Sequence, residues 1–524
     1  MLETPRLEGQ TVKTVSSASW DSATLLKRGV NGSTTAVPES ASASRWHYEK
    51  LLAAFPFLIL IWMVARYSID VPYLDQWDFV PLIEKMYQGQ LTFHDLWMQF
   101  NEHRILFPKL IMLGLARLTH WNIRYESATS VVLALGVFLV LAWQIRASAR
   151  VFGERQLRWA LPACSLVAFS ASQYENFLWG WQVGLLLGLL ASLGAIVLLA
   201  NGPFGWGKFA GAVALGIVAT YSFANGALVW VIGFGLLCVI PQKDSPLAAR
   251  AALLSTKLLA IGIWSFVAMA CVCLYLLDYH KPAHHPQLTS IFNRPVVFIT
   301  YVLKYIGSTC AQYGEGGILP DRIWALVLGL AGLAVMGWAG WRLMRASCLD
   351  GAQARAALAP YFAMCAYSLG TALMAAIARG GFGRGQALCS RYCSMTGPFW
   401  FSMIVMLILL SQRNEALPLP GLRGNEMPAS APVNNQTRIA RWLLFGVIAF
   451  LIFSSGFAIR SAKELSGNLA NGRRFVLALK NSPSLDDAHD ELLVICPDSR
   501  TVIDGYRILS ARELSLFRNP HDQR

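Results

Sequence analysis

Residues 51–79, "LLAAFPFLILIWMVARYSIDVPYLDQWDF", join an apolar run to a segment rich in acids and aromatic rings. Further apolar runs of about 17 to 25 residues recur along the chain, and each can cross a hydrocarbon layer of roughly 30 Å. Of the 524 residues, 55% are hydrophobic and only 14% are charged, whereas soluble proteins carry about a quarter charged residues. The alternating strand pattern of a membrane barrel does not occur. The sequence therefore predicts an all-α polytopic membrane protein.

The net charge of +14 does not indicate a nucleic-acid partner. Lys and Arg cluster in short segments between the apolar runs, where they orient helices by the positive-inside rule. The partner predicted from the composition is the lipid bilayer, and no nucleic acid is expected.

Spanning helices are predicted to begin near residues 50, 126, 158, 180, 207, 226, 257, 322, 358, 396 and 440. The apolar stretches 104–120 and 294–310 each contain basic residues, and a Lys or Arg in mid-bilayer costs about 2.5 to 3.5 kcal/mol. If both stretches lie on the membrane surface, the main arginine clusters all face the cytoplasm. This favours about eleven spans, with a cytoplasmic N-terminus and an external C-terminus. About thirteen spans remain the alternative, because two added crossings restore the same orientation further on.

The same pattern divides the chain into segments. A polar N-terminal stretch is expected to be a disordered cytoplasmic tail, and a Pro- and Gly-rich stretch late in the chain is expected to be a flexible cytoplasmic loop. The predicted segments are a tail at 1–46, a transmembrane module at 47–411 with an external loop at 67–125, a cytoplasmic loop at 412–438, a last transmembrane helix at 439–459, and an external tail or small domain at 460–524.

Acids, amides, His, Arg and aromatic residues concentrate on the predicted external side. The predicted cytoplasmic loops hold little beyond Arg, Lys and Pro. The external segments are 67–125, 172–182, 221–226, 278–287, 379–392 and the C-terminal tail. This polarised distribution indicates a functional site at the outer membrane surface.

The segment "DQWDFVPLIEKM" (75–86) lies directly after the first helix, at the start of a long external loop. The chain resembles the GT-C superfamily of membrane glycosyltransferases. The resemblance is closest to the protein mannosyltransferase and lipid A aminoarabinose transferase branch, whose motif is D-E-x-x-Y-x-x-x-A-x-x-M. Asp75 matches the leading Asp, Phe79 the Tyr position, Ile83 the Ala position and Met86 the Met. Gln76 departs from the motif, which has Glu there.

A second match lies later in the loop. The branch has a His followed by a Pro- and Leu-rich stretch, and "NEHRILFPKLI" (101–111) places His103 and Pro108 in a comparable arrangement. The resemblance covers roughly the first 125 residues and the general topology.

The resemblance implies a GT-C-like fold and an inverting glycosyltransferase in the bacterial inner (cytoplasmic) membrane. Such an enzyme moves a sugar from a polyprenyl-phosphate-linked donor to an envelope glycan, lipid or protein acceptor on the external (periplasmic) face. Asp75 corresponds to the catalytic base and Asp78 is expected to assist it. The base takes a proton from the acceptor, which attacks the anomeric carbon and displaces the lipid phosphate.

Other polar and aromatic residues of the external segments are candidates for substrate binding. Aromatic faces suit a sugar ring, and a guanidinium fork matches phosphate oxygens. The candidates are Trp77, Glu102, His103, Arg104, Glu175, Asn176, Arg384, Arg391 and Tyr392. Structural alternatives stay open for most of these residues. They are solvated acids on an interfacial helix for Asp75 and Asp78, an interfacial charge cluster for Glu102, His103 and Arg104, helix capping for Glu175 and Asn176, and interfacial anchoring for Arg391 and Tyr392.

No metal site and no cofactor are predicted. His280, His284 and His285 have no carboxylate or Cys at a suitable ligand spacing. Some GT-C branches depend on a divalent metal, so an ion at Asp75 or Asp78 stays an open alternative. The branch resembled here is generally not strictly metal-dependent.

Two other functions fit a polytopic chain with external arginines. A transporter or flippase of an envelope lipid should have internal repeats, broken helices and ionisable groups at mid-membrane, and no convincing repeat is found. An envelope-polysaccharide polymerase would rely on arginines in later loops more than on an acid in the first loop.

Overall fold

The structure is a computed structural model that describes residues 40–239, 247–282, 294–312, 321–345, 351–383, 385–412, 435–479 and 489–518. No β-strand occurs in these ranges, apart from an isolated bridge between Phe100 and His103. The predicted all-α class is therefore confirmed. Residues 46–524 form one compact unit. Of the predicted N-terminal tail, the part before residue 40 lies outside the described residues, as does most of the predicted 412–438 loop.

The described residues form α-helices joined by short 3₁₀ helices. In chain order the first are α1 Ser40–Tyr67, α2 Val80–Tyr87, α3 Phe93–Trp97, α4 Leu106–Thr119, α5 Ile123–Phe152, α6 Glu154–Leu157, α7 Ala160–Ala168, α8 Tyr174–Leu178, α9 Val183–Ala200 and α10 Trp206–Thr220. They continue with α11 Leu228–Val239, α12 Leu247–Leu276, α13 Pro295–Gly307, α14 Asp321–Arg345, α15 Gly351–Arg379, α16 Cys393–Ser411, α17 Asn435–Ala478, α18 His489–Leu492 and α19 Ser499–Ala511. The 3₁₀ helices are Leu74–Phe79, Ala171–Gln173, Gly180–Gln182, Ala224–Ala227, Ser308–Cys310, Gly380–Phe382, Gln386–Leu388, Ser390–Tyr392 and Ser515–Phe517.

Within the described ranges, 8 helices are long and apolar enough to cross a membrane, namely α1, α5, α9, α12, α14, α15, α16 and α17. The chain is therefore a multi-pass membrane protein. The spans predicted near residues 158, 207 and 226 coincide with α7, α10 and α11, which have only 9, 15 and 12 residues. Each is shorter than the roughly 20 residues that a perpendicular span needs.

The stretches 104–120 and 294–310 also form short helices, α4 with 14 residues and α13 with 13. In α4, Lys109 is buried inside the protein. Its Nζ donates to the carbonyl oxygens of Asp95, Leu96 and Met98, at 3.0, 3.2 and 2.8 Å, around the end of α3. Leu118 on the same helix is exposed. Both helices are shorter than a perpendicular span needs, and their placement on the membrane surface stays a prediction.

Helix α16 lies at the centre of the bundle. In its most apolar stretch 89% of the residues are buried inside the protein, whereas the corresponding share is only 17% in the outer helices α12 and α17. Close packing depends on small residues in places. A Cβ added to Gly329 would lie 1.8 Å from the carbonyl oxygen of Leu303. Helices α13 and α14 therefore touch backbone to backbone, as membrane helices do where Gly lies at the contact.

Helix α17 has 44 residues and extends well past the predicted span at 439–459. At 1.5 Å per residue it is about 66 Å long, about twice the thickness of a hydrocarbon core. Its last turns pack with residues 489–518, here termed the C-terminal segment, and with residues 68–122, here termed the first loop. Trp77, Val476, Ile495 and Val502 lie in this shared hydrophobic cluster. The predicted external loop and C-terminal tail thus form one layer at one end of the bundle.

Candidate functional site

The 3₁₀ helix Leu74–Phe79 places two acids on one face. A 3₁₀ helix has three residues per turn, so residues i and i+3 lie above one another. Asp75 and Asp78 have this spacing and line a cavity, while Trp77 and Phe79 are buried on the other sides. Pro81 in the first turn of α2 favours the helix start that ends the 3₁₀ segment.

The cavity has a volume of about 680 Å³ and lies between the first loop, the bundle and the C-terminal segment. Its polar and aromatic lining comes from segments far apart in the chain. These residues include Asp75, Asp78, Glu102, His103, Trp179, Trp181, Arg379, Arg391, Tyr392, Asp498 and Thr501. A cavity of this size, with apolar walls and a few convergent polar groups, is typical of a small-molecule site.

The acids of the cavity are in an environment that favours proton uptake. Burial and the negative charge of Asp78 raise the pKa of Asp75 to about 6, although Arg391 and Arg379 act in the opposite direction. Burial and Asp498 also raise the pKa of Asp78. Within the described ranges neither carboxylate has a hydrogen bond or an ion pair. Asp75 is therefore free to accept a proton from a bound molecule.

Gln76, which departs from the family motif, is fully buried behind the two acids. Its Oε1 accepts from the Tyr73 backbone N–H at 3.1 Å, and its Nε2 donates to Glu126 Oε2 at 2.6 Å. The indole of Trp121 donates to the other Glu126 oxygen at 2.9 Å. A Glu at position 76 would have no N–H to donate to the Glu126 carboxylate. This difference explains why the structure favours Gln over Glu at position 76.

Arg391 is a cation of the cavity that forms no ion pair among the residues that the structure describes, although its side chain hydrogen-bonds Tyr392 and interacts with the charge of Glu175. Its guanidinium carbon lies 5.6 Å from the centre of the Trp179 ring and 5.5 Å from that of Tyr392, and it forms no ion pair. Glu175 and Asn176 bind the backbone of Arg391 instead. Arg391 N–H donates to Glu175 Oε2 at 2.9 Å, and Asn176 Nδ2 donates to Arg391 O at 3.0 Å. The guanidinium fork is thus left available for an anion.

Arg379 is a second cation of the cavity, and it was not among the candidates from the sequence. It pairs with Glu102, whose carboxylate also lies 3.5 Å from His103 Nε2. The His103 ring stacks on Phe223 with 4.1 Å between ring centres. Arg379 and Glu102 largely neutralise one another, so the net positive charge on this side comes mainly from Arg391.

Two candidates lie away from the cavity. Arg104 donates to the carbonyl oxygens of Tyr275 at 2.6 Å and of Trp97 at 3.0 Å, and also to that of Leu277. It thereby caps the end of α12, where a cation is favourable. Trp77 is 1% exposed and packs within the first loop against the C-terminal segment.

The remaining candidates are placed as follows. Those that line the cavity are Asp75, Asp78, Glu102, His103, Arg391 and Tyr392. Glu175 and Asn176 bind the backbone of Arg391 from behind the cavity. Arg384 lies outside the described residues. Sequence reasoning missed Trp179, Trp181 and Arg379, although it singled out the segments that contain them. It also missed Asp498 and Thr501, for which no local signal exists.

No group of three or more His, Cys, Asp or Glu side chains that could hold a metal ion occurs in the described ranges. His280 binds the first loop through its backbone, since its N–H donates to Gln99 Oε1 at 2.9 Å. His284 and His285 lie outside the described residues.

No model of a known protein family and no curated protein matches this sequence.

Proposed function

We propose that this chain is an inverting membrane glycosyltransferase of the GT-C type. It moves a sugar from a polyprenyl-phosphate-linked donor to an envelope glycan, lipid or protein acceptor. The observation that supports the proposal is the presence of opposite charges in one cavity: the carboxylate of Asp75 and the guanidinium of Arg391, neither of which forms an ion pair within the described ranges.

The reaction needs both groups. The acceptor hydroxyl or amine gives its proton to the Asp75 carboxylate and forms a bond to the anomeric carbon of the sugar. The bond from that carbon to the phosphate oxygen breaks, and the phosphate leaves with the electron pair. Arg391 faces the added negative charge on the phosphate, and a fixed cation at the place where charge develops lowers the barrier.

The proposal includes an orientation. About eleven crossings, with α7, α10 and α11 counted as short or tilted spans and α4 and α13 as interfacial helices, leave the cavity on the external side. In a bacterial inner membrane that side is the periplasm. The protein would then meet its donor at the outer leaflet.

The test is two-substrate kinetics in nanodiscs. The donors are polyprenyl phosphates that carry glucose, mannose, galactose or arabinose, and the acceptors are an envelope extract and its fractions. We expect Asp75→Asn to lower turnover at least a hundredfold, because general-base removal typically costs that much, while binding of bare polyprenyl phosphate stays near wild type. Asp504→Asn, at an exposed acid of α19 outside the cavity lining, is the matched control. More than a tenth of wild-type turnover in Asp75→Asn would contradict the proposed base.

Arg391 has a separate readout in the same assay. Arg391→Ala should raise the KM for the donor strongly and leave that for the acceptor nearly unchanged. Arg391→Lys should recover only part of the loss, because Lys lacks the planar fork. An effect on the acceptor alone would identify Arg391 as an anchor with no role in donor binding.

The alternative function, transport of an envelope lipid, predicts a different result. A flippase moves polyprenyl phosphate across sealed vesicles and forms no glycosidic bond. Translocation without any glycosylated product, unaffected by Asp75→Asn, would favour transport over transfer.

A further inference from the structure

The residue before the candidate base has an unusual backbone. Leu74 has a φ of 48°, in the left-handed region that branched side chains rarely enter because Cβ crowds the carbonyl oxygen. Such a conformation persists only where surrounding contacts impose it. The contact here comes from the other end of the chain, because Leu74 N–H donates to Ile495 O at 2.8 Å.

The C-terminal segment also approaches the same 3₁₀ helix through α19. A Cβ added to Gly505 would lie 2.8 Å from Trp77 Cε3 and 3.2 Å from Trp77 Cζ3. The ring of Trp77 thus rests directly on the backbone of α19. No larger residue fits at position 505 unless Trp77 moves, and Trp77 lies between the two acids in the sequence.

Two ion pairs join the C-terminal segment to the first loop. Arg512 binds both oxygens of Glu84, with Nε at 3.0 Å and Nη2 at 2.8 Å. Arg518 Nη2 lies 2.6 Å from Asp70 Oδ2, and both side chains are 9% exposed. Because one of these ion pairs is bidentate and the other is buried, together they fix the position of the C-terminal segment against the first loop.

We propose that the C-terminal segment is a positioning element of the candidate site. Ile495 O and the surface around Gly505 hold the 3₁₀ helix in the conformation that turns Asp75 towards the cavity. Without these contacts Leu74 relaxes to a negative φ. Because a change in this backbone dihedral turns the direction of the chain after Leu74, the Asp75 side chain then moves away from Arg391. This inference rests on the proposed function for its kinetic readout, and on backbone exchange for a readout that does not need it.

The first test is Gly505→Ala, with Gly467→Ala as the control. Gly467 also lies in a helix, but a Cβ there meets no atom within 4 Å. In Gly505→Ala we expect amide hydrogen exchange of residues 73–79 to rise at least tenfold. Turnover should fall about a hundredfold, a loss that a 1 Å displacement can cause, while the affinity for bare polyprenyl phosphate stays within twofold. Gly467→Ala should change none of these.

The second test reverses the exposed ion pair and does not depend on a buried clash. Arg512→Glu and Glu84→Arg should each speed exchange at residues 73–79 and lower turnover several-fold. The double variant should restore both to within about twofold, because the pair forms again with opposite polarity.

The exchange rates and the turnover of these variants together test the inference. Unchanged exchange in Gly505→Ala and in both single reversals would overturn the inference, and so would faster exchange with normal turnover. If the wild-type protein transfers no sugar, the proposed function fails, but the exchange data still decide whether the C-terminal segment holds the 3₁₀ helix.

Discussion

Asp75 and its immediate neighbours illustrate how single residues set the chemistry of the cavity. Burial removes water from the carboxylate and Asp78 adds a second negative charge, and together they raise the pKa of Asp75 to about 6. A base with a pKa near the working pH combines a large deprotonated fraction with useful basicity. Asp75 therefore has the environment that general-base catalysis needs.

The raised pKa predicts a pH dependence. The base acts only when deprotonated, so kcat/KM should fall tenfold for each pH unit below about 6 and level off above it. Asp78→Asn removes the like charge and should move this acid limb to lower pH. A pH series of kcat/KM measures both. A wild-type profile that stays flat from pH 5 to 7 would exclude Asp75 as the titrating base.

Gln76 predicts a stability effect. Gln76→Glu would bury a second carboxylate against Glu126, and we expect a loss of about 3 kcal/mol or more, since an unpaired buried charge is costly. Gln88→Glu is the matched control. Gln88 also donates to a Glu, Glu84, at 2.6 Å, but on the exposed surface of α2, where a like-charge pair costs about 0.5 kcal/mol or less. The unfolding temperature should therefore fall much more in Gln76→Glu than in Gln88→Glu. Equal unfolding temperatures would contradict the structural reason given for the amide.

At the scale of elements, the 3₁₀ and α8 turns over residues 171–178 act as a support for the start of α16. Glu175 and Asn176 bind the two backbone groups of Arg391, and Asn176 also donates to Ser394 Oγ at 2.6 Å. The carboxylate of Glu175 accepts from the Arg391 backbone and forms no ion pair with the guanidinium, although its negative charge interacts with that of the guanidinium. The support therefore holds the backbone of Arg391 at the start of α16 without forming an ion pair with its guanidinium.

Asn176→Ala tests this support. It removes the donor to Arg391 O, so the donor KM should rise about tenfold or less, while the acceptor KM stays unchanged. Asn201→Ala is the control. Asn201 also makes two hydrogen bonds through Nδ2, at 2.6 and 2.9 Å, but it lies at the far end of α9, about 27 Å from the cavity at 1.5 Å per residue. Equal donor effects in both variants would identify a general packing defect in place of a positioning role.

At the scale of the whole molecule, segments distant in sequence meet at one end of the bundle. The cavity is lined by the first loop, the bundle and the C-terminal segment: residues 74–112, 179–184, 223–225, Tyr305, the end of α15, residues 391–392 and residues 496–501. Among the described residues, none at the opposite end of the bundle lines the cavity. An enzyme that takes a substrate from one leaflet and an acceptor from the adjacent water needs such a one-sided site.

The orientation predicts the behaviour of reporter fusions. An enzyme that is active only outside the cytoplasm should be active when fused after Arg524 and inactive when inserted in the 412–438 loop, because the two positions are predicted on opposite sides. Whole-cell activity, normalised to the amount of fusion protein, measures this. The reverse pattern would overturn the orientation and, with it, the periplasmic placement of the cavity.

The sequence alone determined the features that depend on local composition. Length and apolarity of a segment decide whether it is a membrane helix, so the all-α multi-pass class followed directly. Asp75 could be singled out by its motif and its position after the first helix, and Arg391 because it follows a Gly-rich stretch in a segment predicted to be external. Both line the cavity.

Only the tertiary structure decided which neighbours share the cavity. Whether Trp77 or its neighbours Asp75 and Asp78 face the cavity depends on the rotation of the 3₁₀ helix Leu74–Phe79, in which a shift of one residue turns a side chain by about 120°. Arg104 is bound by carbonyl groups 171 and 173 residues away. The C-terminal segment reaches Leu74 through contacts that no local pattern encodes. Long-range packing selects among side chains that are chemically equivalent in the sequence. For that physical reason the sequence could indicate which segments line the candidate cavity, but it could not name all the residues that line it.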